Sequence, residues 1–579
     1  MRSFWLLLKN FFQNLFSGIK LLPHIRRHQI PSILENFSKK EIYFLTAAIF
    51  VLITSGSFLV QQVFSNKGPG PHYGGELTEG LVGQPQFINP ILSLSNNIDT
   101  DLSRIVFAQL LKFDSEGKIT PDLAESLPEI SADQKSYTIK LKPNLKWQDG
   151  RALSAEDVLY TIQTIQNPQF ESPLQANWSR VKVNKVDDLT LTFQLREASN
   201  SFVNNFALGI LPKHVWESVT ARNFRLSDNN LKAMGAGPYS VHEIKKTADG
   251  TIRSITLRSN PHYHEGAPYL SRITFRFYPD YDSLINAYQG REIQSLGFVP
   301  FDRKAFGTQE KTEQYKFNLP QYQAVFFNLN HPIVNQKAVR QALWLVTDRN
   351  PIINDAYSNN ALPVYGPILP EAIGFNSEIE KSVHINIDEA KAILEKAGWV
   401  VDPQTNIRMK DKTPLEFDLV VSGNLVLDVK TAQILVQQWS QLGTKVNLVV
   451  VGSSELEQEY VRPRNFDVLL FSENVGADPD PFPFWHTSQM RDPGLNLSGF
   501  SNAEADKLLT EARQTSDNNI RARNYHRFQQ IVNDQLPAIF LVRTLYIYDA
   551  PKKLKGINLS SIIHPSERFL NINRWYFED

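Results

Sequence analysis

The chain has 579 residues, 42% of them hydrophobic and 21% charged, which is enough apolar mass for several cores and more than one lobe and excludes a disordered polar tail. Its net charge is 0, but residues 1–41 hold seven basic side chains (Arg2, Lys9, Lys20, Arg26, Arg27, Lys39, Lys40) against Glu35 and Glu41, a surplus of +5 that leaves −5 on the remainder. A mildly acidic body without a basic cluster argues against a nucleic-acid partner, and the absence of cysteine excludes disulfides, thiolate metal sites, cysteine nucleophiles and a lipid-modified N-terminal cysteine.

The first 74 residues concern location. Ile42 to Val60 is a run of 19 uncharged residues, about 28 Å as a helix against a hydrocarbon core of about 30 Å. The run predicts a transmembrane helix over 42–64. With the basic surplus wholly before it, residues 1–41 are expected in the cytoplasm and the rest outside. The leader is long and no A-x-A site follows, so an uncleaved single-pass anchor is expected rather than a signal peptide. Phe4, Trp5, Leu7, Leu8, Phe11, Phe12, Leu15 and Phe16 form an apolar face at helical spacing; it either lies along the inner leaflet or extends the targeting region. Residues 65–74, with Lys67-Gly68-Pro69-Gly70-Pro71, read as a linker.

Beyond the linker, short strands and helices alternate without internal repeats. ELTEGLV (residues 76–82) reads as a strand, followed by a loop to Asn89-Pro90 and a helix from Asp101 to Leu111. Asp114 to Gly117 makes a hairpin-like turn. Tyr137, Ile139 and Leu141 alternate with polar residues as in a half-buried strand, and Ser154 with Asp157 forms a capping box for the next helix. Gly235-Ala236-Gly237-Pro238-Tyr239 is not a phosphate loop: only GxG is present, a proline follows at once, and the pattern is strand rather than strand-to-helix. Further on, Asn386 is the N-cap of a helix that Gly398 closes, and residues 415–423, 433–439 and 444–451 form a strand-helix-strand unit of the kind that implies parallel pairing. Residues 466–471 add a strand, and Gly476-Ala477-Asp478-Pro479-Asp480-Pro481 follows directly.

Two carboxylates on a proline-stiffened loop at the carboxyl end of a strand sit where open α/β sheets bind ligands, and an amine is their natural partner. The bland alternative is that Asp-Pro pairs initiate turns and Asp480 caps the helix entering Phe484. His262 and His264 with Glu265 are candidate metal ligands only if the turn aims both rings at one point; the pair is read as polar, with no metal. No GxSxG, HExxH or paired carboxylates in a pKa-raising context are present, so no catalytic residue and no cofactor is assigned.

Residues 127–160, with PDLAES (121–126), NPHYHEGAPYL (260–270), VRQAL (339–343), DPDP (478–481), FWHTSQ (484–489) and NLSGFSN (496–502), closely resemble the phrases of the family 5 extracellular solute-binding proteins, the oligopeptide-, dipeptide- and nickel-binding components of ABC importers. The resemblance runs from Gly74 to Gly556. It implies an α/β periplasmic-binding-protein type II fold of three lobes: residues 75–111, 235–321 and 541–579 in the first, 112–234 in the second, 322–540 in the third. It further implies capture of a peptide, without chemistry, between hinged lobes and delivery to a permease driven by ATPase subunits, by a monomer. By the same resemblance Asp478 pairs with the ligand's α-amino group, Asp480 is the fallback, and Asn89, Tyr322 and Trp485 belong to the ligand site. Trp344 and Trp485 are candidate cleft aromatics, although large aromatics on helices are more often core. Several peptide binders carry a tryptophan just before the acidic loop, where this chain has Asn474 and Val475, so a dipeptide, metal chelate or glycan is an alternative ligand. A tethered receptor or chaperone without import is an alternative function.

Overall fold

A computed structural model of the chain describes residues 70–297, 311–382 and 384–578, together with Ser38, Tyr43, Ala47, Thr54 and Ser55. Apart from those five residues, the expected basic segment and anchor, with most of the linker, lie outside the described residues. Among the described residues no helix is long and apolar enough to cross a membrane. Residues 71–578 form a compact unit.

The elements that frame the site are, in chain order, β1 (Glu76–Val82), α1 (Asn97–Val106), β2 (Ser136–Lys140), α2 (Ala155–Gln166), β3 (Thr190–Gln194), β4 (Tyr239–Lys246), β5 (Ile252–Ser259), β6 (Arg272–Tyr278), β7 (Thr312–Asn318), β8 (Gln321–Phe327), α3 (Lys337–Val346), α4 (Ile387–Lys396), β9 (Glu416–Ser422), α5 (Val426–Ser440), β10 (Lys445–Val451), β11 (Val468–Asn474), α6 (Ala503–Gln514), α7 (Asn518–Gln535) and β12 (Ala538–Pro551).

Among the described residues one mixed sheet runs β10-β9-β11-β8-β12, continues through the short strand Ser295–Leu296, and ends β1-β6-β5-β4. β1 is parallel to β6, and β9 is parallel to both β10 and β11, whereas β8 is antiparallel to β11 and β12. A separate antiparallel sheet pairs β2 with β3, flanked by Glu129–Ile130 and Lys182–Lys185.

Local sequence explains most of these elements. Tyr137, Ile139 and Leu141 are buried, as their alternation requires. Ser154 and Asp157 make the reciprocal capping box of α2. Asn386 caps α4 by accepting from Glu389 N–H, and Gly398 takes a φ of +88° two residues past its end, a conformation that favours glycine. The helix expected over Asp101 to Leu111 starts earlier and stops at Val106. Phe107 is extended, because the chain beyond it is claimed by tertiary pairing: Gln109 N–H donates to Asp122 Oδ2 at 2.8 Å, and Leu110 N–H reaches Leu208 O. Long-range partners here outweigh helix propensity.

The most demanding packing lies beneath β1. Arg568, 0% exposed, donates to Glu79 Oε1 at 2.6 Å and to both oxygens of Asp101 at 2.8 and 2.6 Å, while Tyr548 donates to Glu79 Oε2 at 2.8 Å. These groups tie β1, α1, β12 and the 3₁₀ turn Pro565–Phe569 into one charged knot. Desolvation of such a knot is offset only while every member is present. Arg568→Gln therefore strands two buried carboxylates and is expected to cost about 3–5 kcal/mol, read as a large drop in thermal midpoint. A midpoint within a degree or two of wild type would refute this reading of the knot.

Candidate functional site

A cavity of about 480 Å³ is walled by residues far apart in the chain: Glu116 to Ile119, Asn318 to Pro320, Leu369 to Ile373, Val475 to Pro479, Arg521 and Ser561 to Ile563. β12 passes beside it at Arg543. The loop at the carboxyl end of β11 supplies one wall, as the strand-end argument anticipates. A second cavity of about 230 Å³ shares Asn204 and Ile563 with the first. Outside the cavity, Gln134 Nε2 donates to Ser516 Oγ at 3.1 Å, linking the small sheet's turn to the segment between α6 and α7.

Asp478 lines the cavity, but its carboxylate is already engaged: Arg521 Nη2 donates to Oδ1, and the two side chains are only 15% and 11% exposed. Arg521 reaches it from the first turn of α7, and its guanidinium also lies 5.7 Å from the ring centre of Tyr525. Asp480 faces elsewhere. It pairs with Arg513 Nε at 3.0 Å and accepts from Phe482 N–H at 3.2 Å. That hydrogen bond ties it to the first residue of the short helix Phe482–Trp485, whose N-cap is Pro481. Burial pushes the Asp480 carboxyl above its ordinary range, against the charge of Arg513.

The other three expected ligand residues are interior. Asn89 is fully buried, where its amide donates to Asn230 Oδ1 at 3.1 Å and its Oδ1 accepts from Ile91 N–H, so it shapes the loop after β1. Tyr322 and Trp485 are buried together around Phe540, at ring distances of 5.1 and 5.9 Å, and Trp344 is packed beside the core of α3, α4 and α5. The aromatics thus follow the core alternative, since a cleft cannot compete with the area a large ring buries inside.

Tyr322 donates to Glu473 Oε2, a fully buried carboxyl on β11 two residues before cavity-lining Val475. Its other oxygen has no hydrogen-bond partner. Burial pushes the Glu473 carboxyl up to about 8, with the Tyr322 hydrogen bond opposing.

Sequence reasoning missed Glu371, Arg521 and Arg543. Arg543 holds both oxygens of Glu371 at 2.6 and 2.7 Å, and Asn318 Nδ2 adds a contact at 3.4 Å. Burial raises the Glu371 carboxyl, but the hydrogen bonds and charge of Arg543 outweigh it and hold the group below its ordinary range. No local motif marks these residues; the one available signal is that Arg543 interrupts an otherwise apolar strand.

Away from the cavity, Asp122, His264 and Glu265 bring ligand-type atoms within 4.8 Å of one another, His262 taking no part. Lys112 already places its ammonium there, 3.4 Å from Asp122 and hydrogen-bonded to Glu265. Burial raises the Asp122 carboxyl, but His264 and Lys112 outweigh it and hold the group well below its ordinary range.

An open cavity walled by segments from distant parts of the chain, beside a sheet whose strands run on through β12, is the geometry of an α/β protein that holds a ligand between distant segments. The family model for bacterial extracellular solute-binding proteins, family 5 Middle, matches residues 118–493, and the chain belongs to that family, the substrate-binding components of ABC importers. It is 28% identical over 542 residues to the oligopeptide-binding protein AppA of Bacillus subtilis, covering 92% of this chain and 97% of that protein. The structure of Bacillus subtilis AppA in complex with a nonapeptide superimposes with a TM-score of 0.67 at 26% identity, over 88% of this chain and 100% of that one. The ABC transporter substrate-binding protein CtaP from Listeria monocytogenes gives a TM-score of 0.75 at 26% identity, over 88% of this chain and 100% of that one.

A raised carboxyl favours the fold only while it stays protonated. The contribution of Glu473 is fully present below its unfolded value near 4.5 and is lost as pH rises to about 8. Wild-type stability is expected to fall across that window by as much as about 1.4 kcal/mol per pH unit, and Glu473→Gln to flatten the fall. Denaturant melts of both proteins from pH 5 to 9 test this; parallel curves would refute it.

Proposed function

We propose that the chain is a membrane-anchored binding component of an ABC importer that captures peptides in the 480 Å³ cavity and passes them to a permease. The observation that carries this reading is the cavity's construction. Its walls come from residues 116–119, 318–320, 369–373, 475–479 and 561–563, so a ligand there touches parts of the chain that move independently if the lobes hinge. On this proposal the lobes are 75–111 with 235–321 and 541–579, then 112–234, then 322–540, and the hinge is the pair of crossings near Gln321 and in β12. Ligand contacts on both sides then stabilise the closed form, and their differential affinity drives closure. The similarity to a protein described as oligopeptide-binding, whose solved complex holds a nonapeptide, supports peptides as the cargo. Main-chain hydrogen bonding gives such a site breadth, because it is independent of side-chain sequence.

The uncharged run Ile42 to Val60 and the basic residues before it support an uncleaved single-pass anchor, with residues 1–41 cytoplasmic and the binding body outside as a monomer.

Native mass spectrometry of the full chain purified from its own cells tests the cargo: a ladder of short peptides released on denaturation is expected. An empty protein, or one carrying a glycan or metal complex, would overturn the peptide reading. Alkaline extraction of membranes tests the anchor, which is expected to keep the full chain in the pellet and to release a form lacking residues 1–64.

A further inference from the structure

Six charged side chains line the larger cavity among the described residues: Glu116, Lys118, Glu371, Asp478, Arg521 and Arg543. Each carboxylate is already hydrogen-bonded to a cation of the same wall. Lys118 donates to Glu116 at 2.8 Å, Arg543 donates to both oxygens of Glu371, and Arg521 donates to Asp478. The wall therefore carries no net charge. The Arg521–Asp478 pair is also a poor candidate for opening, since its side chains are only 11% and 15% exposed; in the other inner pair Arg543 is 7% exposed and Glu371 43%, and there the two-pronged hydrogen bonding holds the partners.

An incoming ammonium at Asp478 would sit against the Arg521 guanidinium, and like charges at that range in a partly desolvated site repel strongly. Displacing Arg521 instead would leave a mostly buried guanidinium unpaired, and its Nε already lacks a hydrogen-bond partner. A ligand carboxylate at Arg543 meets the mirror problem, because Glu371 occupies the fork of that guanidinium. In the adjoining cavity Arg104 Nη2 lies 3.9 Å from Glu567 Oε1, which balances its charge without hydrogen-bonding it, so that donor lies outside the balanced wall of the larger cavity.

Resting on the reading that the cavity holds peptides, we infer that it binds an uncharged interior stretch of an extended chain, with neither the α-ammonium nor the terminal carboxylate of the ligand bound by its charged residues. Asp478 and Arg521 act as one neutral wall, so the amine pairing that the family resemblance assigns to Asp478 does not operate here. The site then discriminates by main-chain hydrogen bonding and shape, and longer peptides with their ends elsewhere are its substrate class.

The test uses the full chain in detergent and one synthetic pool of hexa- to nonapeptides in three forms: free ends, N-acetylated, and N-acetylated with a C-terminal amide. Capture is counted by native mass spectrometry. The three forms are expected to be captured within about threefold of one another. Capture lowered by about thirtyfold or more on blocking the ends would overturn the inference while leaving the peptide reading intact. Capture of no form would overturn both. Asp478→Asn, which removes the charge opposite Arg521, is expected to weaken capture of free and blocked pools by the same factor; loss confined to the free-ended pool would restore the amine anchor and overturn the inference. Should that variant fail to fold, the wild-type comparison decides by itself.

Discussion

The fold depends on one constraint: β12 belongs to both halves of the sheet at once. Its first residues pair with β8 and its last with β7, so a single strand of 14 residues carries the chain past the cavity. A strand buried on both faces must read as a nearly continuous apolar run, and AIFLVRTLYIYDAP does. Inside the strand burial relaxes at Thr544 and Leu545, next to Arg543 on the cavity wall, and again only at its last residue, Pro551. There the strand changes partners, and there it tolerates a polar pair: Gln321, at the start of β8, donates its side-chain amide to Thr544 Oγ1. The same short stretch thus carries the crossing, the relaxed packing and a binding-site charge.

Two kinds of buried charge serve this architecture differently. The Arg568 knot with Glu79 and Asp101 lies wholly inside, where no ligand reaches it, and fixes the C-terminal turn against β1. The cavity pairs are similar in chemistry but stand at a surface, so each has one side free for uncharged contacts. Glu473 is a third case. It has a hydrogen bond from Tyr322 and no cation, and burial leaves it largely protonated near neutral pH.

Legibility from sequence followed the range of the interactions involved. Elements set by local chemistry, such as the capping box at Ser154 and Asp157, the Asn386 cap and the alternation of Tyr137 and Ile139, were readable because their determinants lie within a few residues. The end of α1 was not, since Asp122 and Leu208 decide it from afar. The site divides the same way. Asp478 was legible because its loop directly follows a readable strand, whereas Arg521 is 43 positions away and Glu371 and Arg543 are 172 apart. Tyr322 and Trp485 are assigned to the ligand site by resemblance, but sequence does not distinguish a cleft wall from a core, and packing around Phe540 decides for the core.

If the lobes hinge as proposed, the contact between Gln134 and Ser516 bears on how closure is controlled. A single hydrogen bond between partly exposed side chains contributes only about 0.5–1.5 kcal/mol net. Gln134 also holds a φ of +55°, a left-handed conformation that costs a non-glycine residue free energy, which offsets part of that gain. On the proposed hinge, this contact adds little to a closed form. Ligand contacts on both sides would then supply more of the difference between closed and open states than this contact does, which is the condition under which closure reports occupancy. A stronger clasp, such as an ion pair at the same two positions, would close the protein without cargo and uncouple shape from binding.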